Sequence, residues 1–293
     1  MVQIGSEYPL DGRFAAPDDV VARARHENFP VASRLLPRHV RRRLMAIYGF
    51  ARLADDLGDE AEGDRLELLD ALEAELALAV SGEATHAVLQ RLSPLLRSGE
   101  LSLEPFLRLI EANRMDQRVQ CYETYDDLVG YCMLSAAPVG RLVLEVFSAS
   151  TPERVALSDE VCIGLQIVEH LQDVGEDAAR GRVYLPREEL ARFGCSTDAL
   201  LGSHAEEALR RLVAAMADRA SCLLDAGIPL ARQLPFRPRL AVSGFTAGGM
   251  AALDAIGRAD HDVLSTACRP QPARLAVRLL ANVVTASRRA TAP

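Results

Sequence analysis

Val161-Cys-Ile-Gly-Leu-Gln166-Ile-Val-Glu169-His170-Leu-Gln172-Asp173-Val-Gly-Glu-Asp177 is the stretch that decides the fold. Val161, Ile163, Leu165, Ile167, Val168, Leu171 and Val174 cover most of a helical circumference. Gln166, Glu169, His170, Asp173 and Asp177 fall on the remaining stripe, at helical spacing. A helix that is apolar nearly all round is buried, so its polar stripe is predicted to line an internal cavity. Asp173 and Asp177 stand four residues apart, which stacks two carboxylates on one face.

About 118 residues upstream the pattern recurs in Asp55-Asp56-Leu57-Gly58-Asp59-Glu60. Tyr48, Arg52, Asp55 and Asp59 repeat at four, three and four residues among Met45, Ile47, Phe50, Leu53 and Leu57. One acidic pair at this spacing commonly faces solvent. Two of them on apolar helices need a partner, because unpaired charge is costly to bury. Hard divalent cations carrying a phosphate-bearing substrate answer that need. Two such stripes facing each other would make a carboxylate-lined mouth above an apolar pocket.

Other metal chemistries fit less well. Neither cluster has the alternating acidic loop of an EF-hand, and Glu169-His170 lacks the Glu-x-x-His spacing of di-iron bundles. Arg180 and Arg182, in Arg180-Gly-Arg-Val-Tyr184-Leu-Pro186, suit diphosphate oxygens through paired hydrogen bonds. Cations answering a helix C-terminus are the plainer explanation of the same arginines.

Helical periodicity runs outward over 18–28, 38–57, 64–81, 84–97, 103–113, 125–149, 152–178, 197–227, 238–258 and 271–288. Proline and glycine punctuate these stretches, and Pro138 should kink or break its helix. The expected architecture is all-α, one domain over 18–288, with an N-terminal arm at 1–17 and a tail at 289–293.

Net charge is −8, which argues against nucleic acid as a partner. All 33 basic residues are arginine. Without lysine, neither Schiff-base chemistry nor a Walker-type phosphate loop is available. Six cysteines without CxxC spacing read as reduced, buried, structural thiols. No charge-free apolar run approaches about 18 residues, so no membrane span is expected. The N-terminus lacks a signal pattern, so a cytoplasmic protein is expected. The arginine-rich Arg38–Arg43 could touch anionic lipid, although a solvated helix face is the simpler reading.

Four segments together resemble the squalene, dehydrosqualene and phytoene synthases. They are Ala46-Ile47-Tyr48 through Arg52 to Asp55 and Asp59; Tyr131-Cys132 with Val139-Gly140; Gln166 through Asp177; and Gly181 to Pro186. The likeness runs from about residue 20 to 285. It implies an isoprenoid synthase fold, a helical bundle around a central apolar cavity. It also implies about three Mg²⁺ bound with a prenyl diphosphate by Asp55, Asp59, Asp173 and Asp177. Arg52, Arg182 and Gln166 are then substrate-binding residues, and Tyr48, Tyr131 and Tyr184 line the cavity.

Glu27 to Ser33, Ala137 to Leu144 and Gln166 to Asp173 are most similar to bacterial hydroxysqualene synthases of the three-enzyme squalene route to hopanoids. Glu169 stands where condensing enzymes usually carry Asn, and Gln172 where they often carry Arg. His26 and Asn28, where some members carry serines that contact diphosphate, are counted with the substrate-binding residues. The implied reaction takes presqualene diphosphate and water to hydroxysqualene and diphosphate, with Glu169 and His170 as candidates for positioning the water or taking its proton. Condensation of two prenyl diphosphates is the nearest rival. A non-catalytic partner protein is a further one, at odds with two intact acidic clusters. Contact with pathway enzymes is compatible with either catalytic reading.

Overall fold

In the computed structural model, residues 36–265 together with 268, 278, 279 and 282 are described. The expected arm, the helix at 18–28, most of 271–288, the tail, and His26 and Asn28 lie outside the described residues. Every regular element among them is a helix or a 3₁₀ turn; no strand occurs, only one parallel bridge between Cys121 and Val183. They fall into two compact units, 36–118 and 119–282.

The first unit holds four helices: α1 (Arg38–Asp59), α2 (Arg65–Ser81), α3 (Ala87–Arg97) and α4 (Glu104–Asp116). Val40, Leu44, Ile47, Phe50, Leu53 and Leu57 recur every three or four residues and bury one stripe of α1 against α3 and α4. Phe50 meets Phe106 of α4 edge to face, centroids 4.9 Å apart. Asp64 caps α2 by accepting from the Leu66 and Glu67 amides. Buried Glu75 accepts from Thr85 and His86 and so fixes the α2–α3 turn.

The second unit begins with α5 (Tyr125–Ser135), opened by a reciprocal cap between Thr124 and Asp127. Pro138 acts as expected: α5 ends, and α6 (Ala137–Val146) starts with the proline in its first turn. Next comes α7 (Pro152–Gln172), the hub of this unit, packed against α5, α6, α10 (Glu207–Leu224), α11 (Gly227–Gln233) and α12 (Phe236–Arg258). That setting explains why its sequence is apolar nearly all round. At Gly164 an added Cβ would meet Ala220 O, Leu223 and Leu224 at 3.1 Å, so the glycine permits the close crossing of α7 and α10.

Two expected helical stretches are divided, and one unexpected helix is added. The helix expected over 152–178 is interrupted at Asp173 (φ −106°, ψ 12°), and α8 (Val174–Ala179) follows. Asp173 N–H still donates to Glu169 O and Asp177 N–H to Asp173 O, so the break is a local kink. The stretch 197–227 divides into a 3₁₀ turn at Thr197–Leu201, then α10 and the start of α11; Gly202 and the Asp225-Ala226-Gly227 turn interrupt its periodicity. A further helix, α9 (Arg187–Phe193), was not expected because it is short and mostly charged. Its Glu189 is buried against Arg219 of α10 at 2.5 Å.

The cysteine and membrane expectations also change. Cys132 and Cys268 are buried, but Cys121, Cys162 and Cys195 are only partly so, and Cys222 is exposed. All six are free thiols. Two helical stretches, Tyr125–Val146 and Phe236–Arg258, are long and apolar enough to cross a membrane by length and composition alone. Much of the second is buried core of its own unit, the commoner reason for such composition.

Candidate active site

The first acidic pair closes α1. Asp55 is exposed by surface area, yet the protein packed around it raises its carboxyl to about 7, chiefly by desolvation. The Asn113 amide works in the other direction, and the neighbouring Asp59 charge adds to the rise. Asp59 is exposed, and its backbone carbonyl accepts from Arg65 Nη2 at 3.0 Å. Asp56, between them in sequence, points elsewhere: it is buried and ion-paired with Arg52 at 2.6 Å. Arg52 also reaches Glu60 at 2.9 Å. Desolvation opposes its charge, but Asp56, Asp55 and Glu60 outweigh that and raise its pKa. Its Nε is buried without a hydrogen-bond partner among the described residues. Tyr48, two turns before Asp55, is partly buried.

Two neighbours were missed in the sequence. Asn113 and Gln117 of α4 touch the end of α1, Asn113 at Asp55 and Gln117 at the Gly58 carbonyl. A polar side chain among buried Leu109, Ile110 and Ala112 was the available signal for Asn113.

The second acidic pair closes α7. Asp173 is exposed at the kink, and its carboxyl is raised by burial and then by Glu176, against Arg180. Asp177 Oδ2 lies 3.9 Å from His170 Nδ1. Gln166 Nε2 lies 3.3 Å from His170 Nε2, which makes the amide a donor to the ring nitrogen and leaves the ring proton on Nδ1, toward Asp177. Burial pushes His170 down to about 3, so the imidazole is neutral at any physiological pH.

His170 sits in an aromatic box. The Tyr184 ring stacks on it with centroids 3.8 Å apart and planes 12° off parallel. Tyr131 lies 6.0 Å from His170 and 5.5 Å from Tyr184. Tyr122, also missed in the sequence, stands 5.4 Å from Tyr131 and 6.1 Å from Tyr184. The loop after α8 is tied down by Val183 N–H to Gln120 O and Arg187 N–H to Tyr122 O, which sets Tyr184 beside Tyr122. Arg182, partly buried, donates its backbone N–H to Asp177 O at 2.9 Å.

Glu169 is partly buried and near enough to Cys132 to help raise that thiol; burial is the larger cause, and together they bring it to about 12. Cys162 is also pushed up to about 12 by burial, so neither thiol offers a nucleophile near neutral pH. Gln172, expected on the approach to Asp173, has its amide on the Cys268 carbonyl at 2.6 Å and so tethers a later segment.

Among the described residues, Gln166, His170, Asp177, Tyr131 and Tyr184 are thus brought together, and Arg52, Asp55 and Asp59 likewise. The donor chemistry suits hard divalent cations. No three His, Cys, Asp or Glu side chains gather into a cage among the described residues.

An all-α chain with an acidic pair closing each of two apolar helices is the build of the isoprenoid synthases. Residues 22–280 match the squalene/phytoene synthase family model, and the chain belongs to that family. It is 40% identical over 225 residues to a hydroxysqualene synthase of Sinorhizobium fredii, covering 75% of each chain. A hydroxysqualene synthase of Rhodopseudomonas palustris is 41% identical over 217 residues, 72% of each. Among solved structures, squalene synthase HpnC from Alicyclobacillus acidocaldarius shares 44% identity with a TM-score of 0.75, over 84% of this chain and 97% of that one.

Proposed function

We propose that this enzyme ionises presqualene diphosphate with the help of Mg²⁺ and captures the resulting carbocation with water, giving hydroxysqualene and diphosphate. The observation that carries the reading is the aromatic box around a neutral His170, one turn from Asp173. The two named relatives above support it at the level of sequence.

In this reading Asp55, Asp59, Asp173 and Asp177 would hold Mg²⁺ together with the diphosphate. The metal would supply charge neutralisation for the departing diphosphate. Arg52 and Arg182 add cationic contacts to the same oxygens. Tyr48, Tyr131 and Tyr184 present ring faces that stabilise positive charge on carbon. Cation at carbon is destroyed by any base that reaches it early, so a strongly basic imidazole there would be a fault. His170 is weakly basic instead. With Gln166 on one nitrogen, it can orient a water without stripping a proton prematurely. Glu169, one residue before, is the candidate to take the proton once the carbon–oxygen bond forms.

The catalytic domain is taken as 18–288. Action in the cytoplasm with contact at a membrane surface suits so apolar a substrate and product.

Mass-spectrometric product identification tests the reaction. The chain is incubated with Mg²⁺ and either presqualene diphosphate or farnesyl diphosphate. Hydroxysqualene from the first and no C30 product from the second is expected. A C30 product from farnesyl diphosphate alone would favour condensation.

A further inference from the structure

Helix α4 reaches the first acidic pair through Asn113. The residue is buried, and its Nδ2 donates to Asp55 Oδ1 at 3.3 Å and to Leu109 O at 3.1 Å. Both amide hydrogens therefore meet acceptors, and the reverse amide orientation would aim Oδ1 at two oxygens. Oδ1 itself lies over Gly58: an added Cβ there would stand 2.3 Å from it, closer than any real contact. Only glycine at 58 lets the amide come this near. One turn further along α4, Gln117 Nε2 donates to Gly58 O at 3.0 Å and to Asn113 O at 3.1 Å. The end of α1 is thus held from α4 at a side chain and at a main-chain carbonyl.

A carboxylate that binds a cation at an exposed helix end has several rotamers to choose from, and choosing one costs conformational entropy. Fixing one oxygen by a buried amide removes that freedom beforehand. We propose that Asn113, seated by Gly58 and Gln117, is a positioning residue that holds Asp55 in the arrangement that receives a divalent cation. The proposal rests on the reading of Asp55 as a metal ligand. The amide is neutral, so it fixes an oxygen without competing for the cation's place as Arg52 would. A carboxylate at 113 would instead set a like charge beside Asp55.

A merely structural amide would alter melting without altering the response to metal, and this separates the two roles. The full chain is melted over a series of Mg²⁺ concentrations with inorganic diphosphate in excess, for the parent and for Asn113→Ala, Asn113→Ser, Gly58→Ala and Asp55→Asn. Outer partners of metal ligands are typically worth 10–100-fold in metal affinity. Asn113→Ala is therefore expected to raise the Mg²⁺ midpoint of the thermal shift roughly tenfold or more, with Asn113→Ser between it and the parent. Gly58→Ala, which pushes the amide off its seat, moves the midpoint the same way. In turnover of presqualene diphosphate the half-saturating Mg²⁺ rises, while kcat at saturating Mg²⁺ falls much less. If Asp55→Asn abolishes the Mg²⁺ response and the two Asn113 variants keep the parental midpoint, the positioning role is overturned and the metal reading stands. If Asp55→Asn itself keeps the parental response, the metal reading fails and this inference with it.

Discussion

The two acidic pairs are built differently, although each closes an apolar helix with carboxylates four residues apart. Asp55 and Asp59 end an uninterrupted helix and have ionic and amide company: Arg52, Asp56, Glu60 and Asn113. Asp173 sits at a kink, and Asp177 lies beside a neutral imidazole that is itself flanked by Tyr131 and Tyr184. The first neighbourhood is mainly ionic, with Tyr48 beside Arg52. The second adds groups that manage positive carbon and orient water. Under the proposed function, similar spacing in the chain would hide a division of labour, with diphosphate departure shared and capture by water falling to the second pair.

The largest expected effect would break the shared half of that division. Asp55→Asn and Asp173→Asn should each remove several kcal/mol of transition-state stabilisation, read as a fall in kcat/KM of about a thousandfold or more. Near-normal turnover by either variant, with its circular dichroism unchanged, would break the comparison.

Replacing Glu169 by Gln, or His170 by Phe, should act on the unshared half. Loss of Glu169 as general base costs about a hundredfold or more in the step it serves, and loss of His170 leaves the water unoriented in that same step. Diphosphate release is expected to continue while the alcohol fraction falls and alkene products rise. An unchanged product ratio and rate would remove both residues from water capture.

Acid and base should separate the two regions by the sign of their effect on stability. His170 titrates at about 3 in the folded chain, below the ordinary histidine value, so the unfolded chain binds its proton first. Stability is then lost as pH falls from about 6.5 toward 3, at up to about 1.4 kcal/mol per unit. Asp55 is raised to about 7, so its ionisation disfavours the folded state. That contribution is absent below the ordinary carboxylate range and grows until pH passes about 7. Without Mg²⁺, Asp55→Asn should raise Tm at pH 8 and leave it nearly unchanged at pH 4. His170→Gln should do the reverse, flattening the acid limb. Thermal melts from pH 4 to 8 check both signs.

The smallest effect concerns thiols. Exposed Cys222 should be alkylated readily at pH 7.5 with little loss of activity, whereas Cys132, raised to about 12 beside Glu169, should resist until the chain opens. Peptide mapping after timed alkylation reads the order.

Much of this division was legible in the chain. The stripe from Gln166 to Asp177 and the repeat from Tyr48 to Asp59 are helical periods, and buried helices with one polar stripe leave that signal plainly. The kink at Asp173 was not legible, because its flanking hydrogen bonds keep the helical spacing of side chains almost intact. Helix α9 escaped because it is short and mostly charged, and its buried Glu189 finds its partner in Arg219, 30 residues away. Asn113 and Tyr122 escaped for the same reason: each acquires its role from a partner on a distant segment, Asp55 for one and the rings of Tyr131 and Tyr184 for the other. His170 was singled out in the sequence, but its weak basicity comes from burial and not from local spacing.

Isotope tracing tests the central claim most directly. The enzyme is incubated with presqualene diphosphate and Mg²⁺ in water enriched in oxygen-18, and the C30 product is analysed by mass spectrometry. One heavy oxygen in a hydroxysqualene is the expected result. A C30 product carrying no solvent oxygen, or none formed at all, would contradict it.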